Sequence, residues 1–127
     1  MNWRLLLLTP LAGLVAATVA FSATLDGKTF AGVMYEGSKE IDKNESFVFK
    51  DGKFRSTGCD KYGFKEAPYK TTVESDTTKF EAQASNGKGE TMSWKGWVKG
   101  SAAEATGVWA KDGKTSGTYT FKGKAKS

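Results

Sequence analysis

Bulky side chains recur at every second position in short segments that are separated by glycine-containing turns. The pattern is clearest in Thr29–Tyr35, Phe47–Phe49, Met92–Val98 and Tyr119–Phe121. A period of two places these side chains on one face of a β-strand, whereas helical spacing is nearly absent after residue 24. The sequence therefore predicts an all-β fold.

Eight strands are predicted, and the connections between them carry turn chemistry. Asp51-Gly52, between Phe49 and Phe54, is a strong two-residue hairpin signal. The polar stretch Glu36–Glu45 predicts a long loop or a single helical turn. The approximate strand cores are Lys28–Tyr35, Ser46–Lys50, Lys53–Thr57, Tyr69–Glu74, Thr78–Ser85, Thr91–Lys99, Ala103–Ala110 and Gly117–Lys124.

Short turns between successive strands favour antiparallel neighbours. A flat sheet of eight strands would leave two exposed edges, and closure into a barrel removes them. We therefore predict an eight-stranded antiparallel up-and-down barrel, with a two-sheet β-sandwich as the alternative.

The first residues are typical of a secretory signal peptide. Arg4 precedes an apolar run that opens with Leu5–Leu8, and Ala20-Phe21-Ser22 offers small residues for cleavage before Ala23. An uncleaved membrane anchor is the alternative, although Pro10 and Gly13 interrupt the run. We predict a signal peptide at residues 1–22 and a single barrel domain at 23–127. The protein would then be secreted or periplasmic, and bound to a membrane only if the leader is retained.

The residue inventory restricts the chemistry. The chain has no histidine and one cysteine, Cys59, so an intrachain disulfide, histidine-based catalysis and most zinc sites are excluded. Its lysines are scattered rather than clustered, which argues against a nucleic-acid partner. The glutamates Glu45, Glu66, Glu74, Glu81 and Glu104 are interpreted as solvent-facing strand residues. We predict a protein that is not an enzyme and that has no metal site and no cofactor.

Residue parity places four candidate ligand-binding side chains inside the barrel. These are Trp94, Trp109, Tyr119 and Met34. Aromatic residues on an inner face either pack the core or line a ligand cavity, and strand glycines beside them leave room for a ligand.

Two further features are candidates for contacts. Trp97 has the opposite parity and lies between Lys95 and Lys99, so we predict an exposed interaction surface there. Cys59 and Tyr62 lie in the irregular stretch between the third and fourth strands. Cys59 is interpreted as a small buried thiol that caps the barrel end, with thiol chemistry or an intermolecular disulfide as the alternative.

The strand count and spacing resemble those of small exported calycin-like barrels, the group that contains avidin-like and lipocalin-like proteins. The Phe-x-Phe, Asp-Gly-Lys-Phe, Cys-x-x-Tyr-Gly-Phe and Trp-x-Gly elements, at Phe47, Asp51, Cys59 and Trp94, look like those of exported bacterial proteins. The first strand lacks the Gly-x-Trp element of lipocalins, and no biotin-binding set can be carried over.

These observations lead to three functional hypotheses. The first is an exported, non-enzymatic binding protein that holds a small apolar or aromatic ligand in the barrel. The second is a protein-interaction module, such as an inhibitor of a secreted or cell-envelope enzyme. The third, which we do not favour, is an enzyme with a Cys59-centred or carboxylate-only mechanism. An unknown function with a structural role is the remaining alternative.

Overall fold

The structure is a computed structural model that describes residues 18–21 and 24–126. The described residues form nine strands: β1 (Thr18–Phe21), β2 (Thr29–Glu36), β3 (Lys39–Lys50), β4 (Lys53–Ser56), β5 (Ala67–Glu74), β6 (Thr77–Ser85), β7 (Glu90–Lys99), β8 (Ala102–Lys111) and β9 (Lys114–Ala125). A 3-10 helix spans Thr57–Tyr62. Most of the predicted signal peptide lies outside the described residues, so it stays a prediction.

Strands β2 to β9 form a closed ring in chain order. Each pairs antiparallel with the next, and β9 pairs with β2 from Phe30↔Ala125 to Tyr35↔Thr120. The weakest junction is β4–β5, which rests on the pairs Lys53↔Pro68 and Phe54↔Ala67. The predicted up-and-down barrel is confirmed and the sandwich alternative is wrong. Strand β1 lies outside the ring and pairs with β5.

The middle of the ring is filled with aromatic side chains. Phe47 stacks on Phe121 with a centroid distance of 3.9 Å and contacts Trp94 edge-on at 4.9 Å. Ring contacts of this kind add to the stabilisation from the buried apolar area itself. The largest buried apolar side chains are Trp94, Tyr69, Phe30, Phe47, Phe49, Phe54, Phe80 and Phe121. The barrel axis is therefore a packed core rather than a channel.

One end of the ring is sealed by the segment that precedes β2, and we call it the closed end. Leu25 is 2% exposed there. Its backbone N–H donates to the hydroxyl of Tyr69 (3.0 Å), which itself donates to Asp26 Oδ1 (2.7 Å). Asp26 also accepts from the Gly52 N–H in the β3–β4 turn. Burial, followed by the hydrogen bond to Asp26, raises the pKa of Tyr69 to about 12.

The opposite end carries the β2–β3, β6–β7 and β8–β9 turns and the 3-10 helix, and we call it the mouth. The prediction of a loop or helical turn at Glu36–Glu45 is wrong here, because β3 begins at Lys39. The early part of this strand is mostly exposed and contains one apolar residue, Ile41, so it shows no alternation. It extends the β2–β3 hairpin as far as the pair Glu36↔Lys39.

Candidate functional site: a cavity at the mouth

A cavity of about 230 Å³ opens at the mouth, above the aromatic core. It collects residues from β2, β3, β7, β8, β9 and the 3-10 helix region, so it depends on ring closure. Its lining residues are Met34, Glu36, Ile41, Asp42, Glu45, Gly58, Cys59, Lys61, Tyr62, Phe64, Met92, Trp109 and Tyr119.

Two irregularities in β3 place carboxylates on the inner side. Gly32 pairs with Glu45, Met34 with Asp42 and Tyr35 with Glu40, so β3 has an extra residue in each of the two intervals. Such β-bulges re-aim the side chains that follow them. Asp42 and Glu45, three residues apart, consequently converge. A Cβ placed on Gly58 would lie 2.6 Å from Glu45 Oε2 and 3.0 Å from Asp42 Oδ2.

Glu45 is a buried anchor and is 1% exposed, so the interpretation of this residue as solvent-facing is wrong. Its carboxylate accepts hydrogen bonds from two backbone N–H groups, of Ser46 (2.8 Å) and Gly58 (2.9 Å). It also accepts from the hydroxyls of Ser56 (2.8 Å) and Thr57 (3.0 Å). Buried polar groups need such partners to offset their lost hydration. Glu45 thus ties the 3-10 helix to β3.

The 3-10 helix is held in place from its other side as well. The Arg55 guanidinium on β4 donates to both carboxylate oxygens of Asp60. The helix ends at Gly63, whose φ of 86° is the left-handed conformation that favours glycine at a helix C-terminus. These contacts fix Gly58, Cys59 and Tyr62 at the rim of the cavity.

Cys59 lies in a setting that suppresses thiol reactivity. Burial, and then the negative charges of Glu45 and Asp60, raise its pKa to about 11, although the nearby Ser56 hydroxyl (3.4 Å) acts in the opposite direction. The thiolate is the reactive form. At neutral pH Cys59 is therefore a poor nucleophile.

Aromatic side chains form one wall of the cavity. The ring of Trp109 lies 5.3 Å from that of Tyr62 and 5.9 Å from that of Phe64, in tilted and edge-on arrangements. The Trp109 Nε1 atom is buried and finds no hydrogen-bond acceptor among the residues that the structure describes. Burial, and then the charge of Glu36, raise the pKa of Tyr119 on the neighbouring strand β9.

The structure brings together most of the candidate residues that the sequence singled out. Met34, Trp109 and Tyr119 line the cavity, and so do Cys59 and Tyr62. Trp94 does not. It is 2% exposed and packed among phenylalanines in the core.

The predicted interaction surface is less exposed than expected at its centre. Trp97 is half-buried on the outer face, paired with Lys79 on β6 and Glu104 on β8. Lys95 and Lys99 are exposed. Near them, a second depression of about 370 Å³ spans β5–β7. It is bordered by the exposed Glu81, Gln83 and Lys95, and by Pro68, Tyr69, Lys70, Ala82, Ser93 and Trp94.

Sequence reasoning missed the acidic part of the cavity. Glu45 carried a usable signal, because it shares the parity of Phe47 and Phe49 and so belongs to the inner face. Asp42 carried none, since its inward position depends on the bulges.

The described ranges, 18–21 and 24–126, contain no group of three or more Cys, Asp and Glu side chains spaced to hold a metal ion. Within the same residues, no helix is both long enough and apolar enough to cross a bilayer.

Comparison with known proteins gives no family assignment. No protein-family model, no curated protein and no solved structure matches this chain.

Proposed function

We propose that this chain is an exported, non-enzymatic binding protein that holds one small ligand in the mouth cavity. One observation carries the proposal. The barrel is filled with side chains along its axis, whereas the mouth holds a cavity large enough for a molecule with one aromatic ring. Small-ligand sites are concave and mostly apolar, with a few polar groups that fix orientation, and their volumes are commonly about 300–1,000 Å³. The mouth cavity is slightly smaller, which restricts the ligand to a compact molecule.

The chemistry of the cavity supports binding rather than catalysis. Cys59 holds its proton at neutral pH, and Glu45 is occupied by four hydrogen-bond donors. Neither group has the freedom that a nucleophile or a general base needs.

NMR spectroscopy tests the proposal. The protein, labelled with nitrogen-15, is titrated with a panel of small molecules that each contain one aromatic ring, and its amide and indole N–H resonances are followed. Binding should shift the indole resonance of Trp109 and the amide of Gly58, because both residues line the cavity. The indole of Trp97, on the outer face, is the internal control. Fragments that shift Trp97 alone, or that leave Trp109 and Gly58 unmoved, would contradict the proposal.

The protein-interaction alternative has weaker support. Trp97 is half-buried between neighbouring strands, which reduces the area it offers to a partner. A pull-down from extracellular extract that recovers a partner with the native protein and loses it with Trp97→Ala would favour this alternative.

We further propose that the protein is secreted or periplasmic and related to calycin-like barrels. The ring of eight antiparallel strands in chain order supports the second point, and the leader sequence supports the first. Cleavage before Ala23 would remove β1 and leave the ring itself complete. Mass spectrometry of the exported protein should find Ala23 at the N-terminus, and an intact leader would contradict this.

A further inference from the structure

The charge of the mouth cavity is opposite to that of the whole molecule. The chain carries a formal net charge of +5, yet the cavity is lined by three carboxylates, of Glu36, Asp42 and Glu45, against one ammonium, that of Lys61. Low-dielectric walls concentrate the field of such groups and favour ligands of the opposite sign.

These three carboxylates also lack a direct ion-pair partner within the described ranges. Four acidic residues elsewhere pair with cations: Glu66 with Lys53, Asp60 with Arg55, Glu74 with Lys79 and Asp76 with Lys99. Others, such as the exposed Glu81, form no ion pair among the described residues. In the part of the chain that the structure describes, the cavity carboxylates form no ion pair. Asp42 accepts one hydrogen bond, at Oδ1 from the Asn44 N–H (2.8 Å), and its Oδ2 faces Gly58 at the cavity.

The aromatic wall completes a setting for an organic cation. The faces of Tyr and Trp rings attract ammonium groups, more strongly when water is displaced. This wall already shows the interaction, because the Lys61 ammonium lies 5.4 Å from the centroid of the Tyr62 ring. Trp109 and Tyr119 offer further aromatic surface beside the carboxylates.

We infer that the ligand held at the mouth is a small organic ammonium ion, a primary or substituted amine that carries one compact apolar group. This inference rests on the proposed binding function and specifies its ligand class. An anionic ligand would be repelled by Glu36, Asp42 and Glu45. A neutral one would gain the apolar contacts without using the charge. A bare metal ion would lack the cluster of ligands that it requires.

The test uses three probes of one shape and different charge: 2-phenylethylamine, 2-phenylethanol and phenylacetate, titrated by calorimetry into the domain that starts at Ala23. The amine should bind about tenfold more tightly than the alcohol at low ionic strength, since an ion pair and a cation–π contact are added. Phenylacetate should bind most weakly. The preference for the amine should shrink as salt is raised.

Matched variants distinguish the effect of the cavity's own charges on binding from the effect of the protein's overall charge. Asp42→Asn removes the negative charge but keeps an oxygen that accepts from the Asn44 N–H. It should therefore weaken binding of the amine several-fold and leave binding of the alcohol unchanged. Lys61→Gln should strengthen binding of the amine, because it removes the ammonium group that competes for the face of the Tyr62 ring. The control is Glu81→Gln, which removes an exposed carboxylate from the outer face of β6 and should change nothing.

The outcomes distinguish the inference from the function on which it rests. Equal binding of alcohol and amine would overturn the ammonium class and leave the cavity as a binding site. An equal loss with Asp42→Asn and Glu81→Gln would show that the preference comes from overall charge, which also overturns the inference. If none of the three probes binds, both the ligand class and the binding function fall.

Discussion

At the scale of single residues, Glu45 shows how a buried charge can organise a rim. Its four donors come from three consecutive residues at the start of the 3-10 helix and from its own neighbour, Ser46. A buried carboxylate is tolerable when its oxygens are fully hydrogen-bonded, and removal of one partner leaves the others uncompensated.

We predict that Glu45→Ala lowers the free energy of unfolding by about 2–4 kcal/mol, because it leaves buried donors unpaired. Glu45→Gln keeps one carbonyl oxygen and should cost less. Urea denaturation monitored by circular dichroism measures both changes. Glu104→Gln, on the outer face of β8, is the matched control, and a loss as small as that of the control would contradict the assigned role.

The raised pKa of Cys59 gives a second prediction at this scale. With a pKa of about 11 against an ordinary 9.0, alkylation by iodoacetamide at pH 8 should be slower in the native protein than in urea, because less of the thiol is ionised. The smaller thiolate fraction slows the reaction by up to about a hundredfold, and the greater nucleophilicity of a thiolate of higher pKa offsets part of this. The sign for stability follows from the same shift. The unfolded thiol ionises first, so stability should fall as pH rises from about 9 to 11. Equal alkylation rates in the folded and unfolded protein would refute this environment.

At the scale of elements, β3 separates what the sequence could predict from what it could not. Its second half, from Phe47 to Phe49, alternates with one face buried, and parity alone identified both its state and its inner face. Its first half is exposed on both faces, so no periodic signal exists there. The bulges that bring Asp42 inward arise from pairing with β2, which is a tertiary event and leaves no local pattern.

The same limit applied to the aromatic candidates. Parity placed Trp94 and Trp109 on one inner surface, which the structure confirms. It could not place one in the middle of the ring and the other at its mouth, because that depends on the stagger between strands.

The pairing of β2 with β9 closes the ring, and its close backbone approach predicts the effect of a substitution at Gly32. Gly32 faces Gly123, and a Cβ on Gly32 would clash with the backbone carbonyl oxygen of Lys122. Backbone cannot move aside as a side chain can, so Gly32→Ala should cost about 1–3 kcal/mol by forcing the strands apart. Thermal unfolding should show the loss, and Thr118→Ala, on an exposed part of β9, should change stability little. An unchanged melting temperature for Gly32→Ala would contradict the close approach.

At the scale of the whole molecule, the two ends of the ring are built differently. The closed end combines an apolar plug, Leu25, with the hydrogen bonds of Tyr69 and Asp26. The mouth combines carboxylates with aromatic rings around open space. The segment from Thr24 to Gly27 is therefore part of the domain rather than a connection to it.

We predict that a chain starting at Lys28 is less stable than one starting at Ala23 by about 2–4 kcal/mol, from the lost burial of Leu25 and the lost hydrogen bonds. Chemical denaturation of the two purified domains measures the difference. Tyr69→Phe in the longer chain should reproduce the hydrogen-bonded part of the loss. Two domains of equal stability would show that the plug contributes nothing.

The closed end affects the rates at which a ligand could bind and dissociate. Because Leu25 and the packed aromatic side chains block the other end, a ligand bound in the mouth cavity, as we propose, would enter and leave through the same opening. An antibody fragment that binds the tip of the β2–β3 hairpin and covers the mouth would therefore slow dissociation of a bound ligand as well as association of a new one.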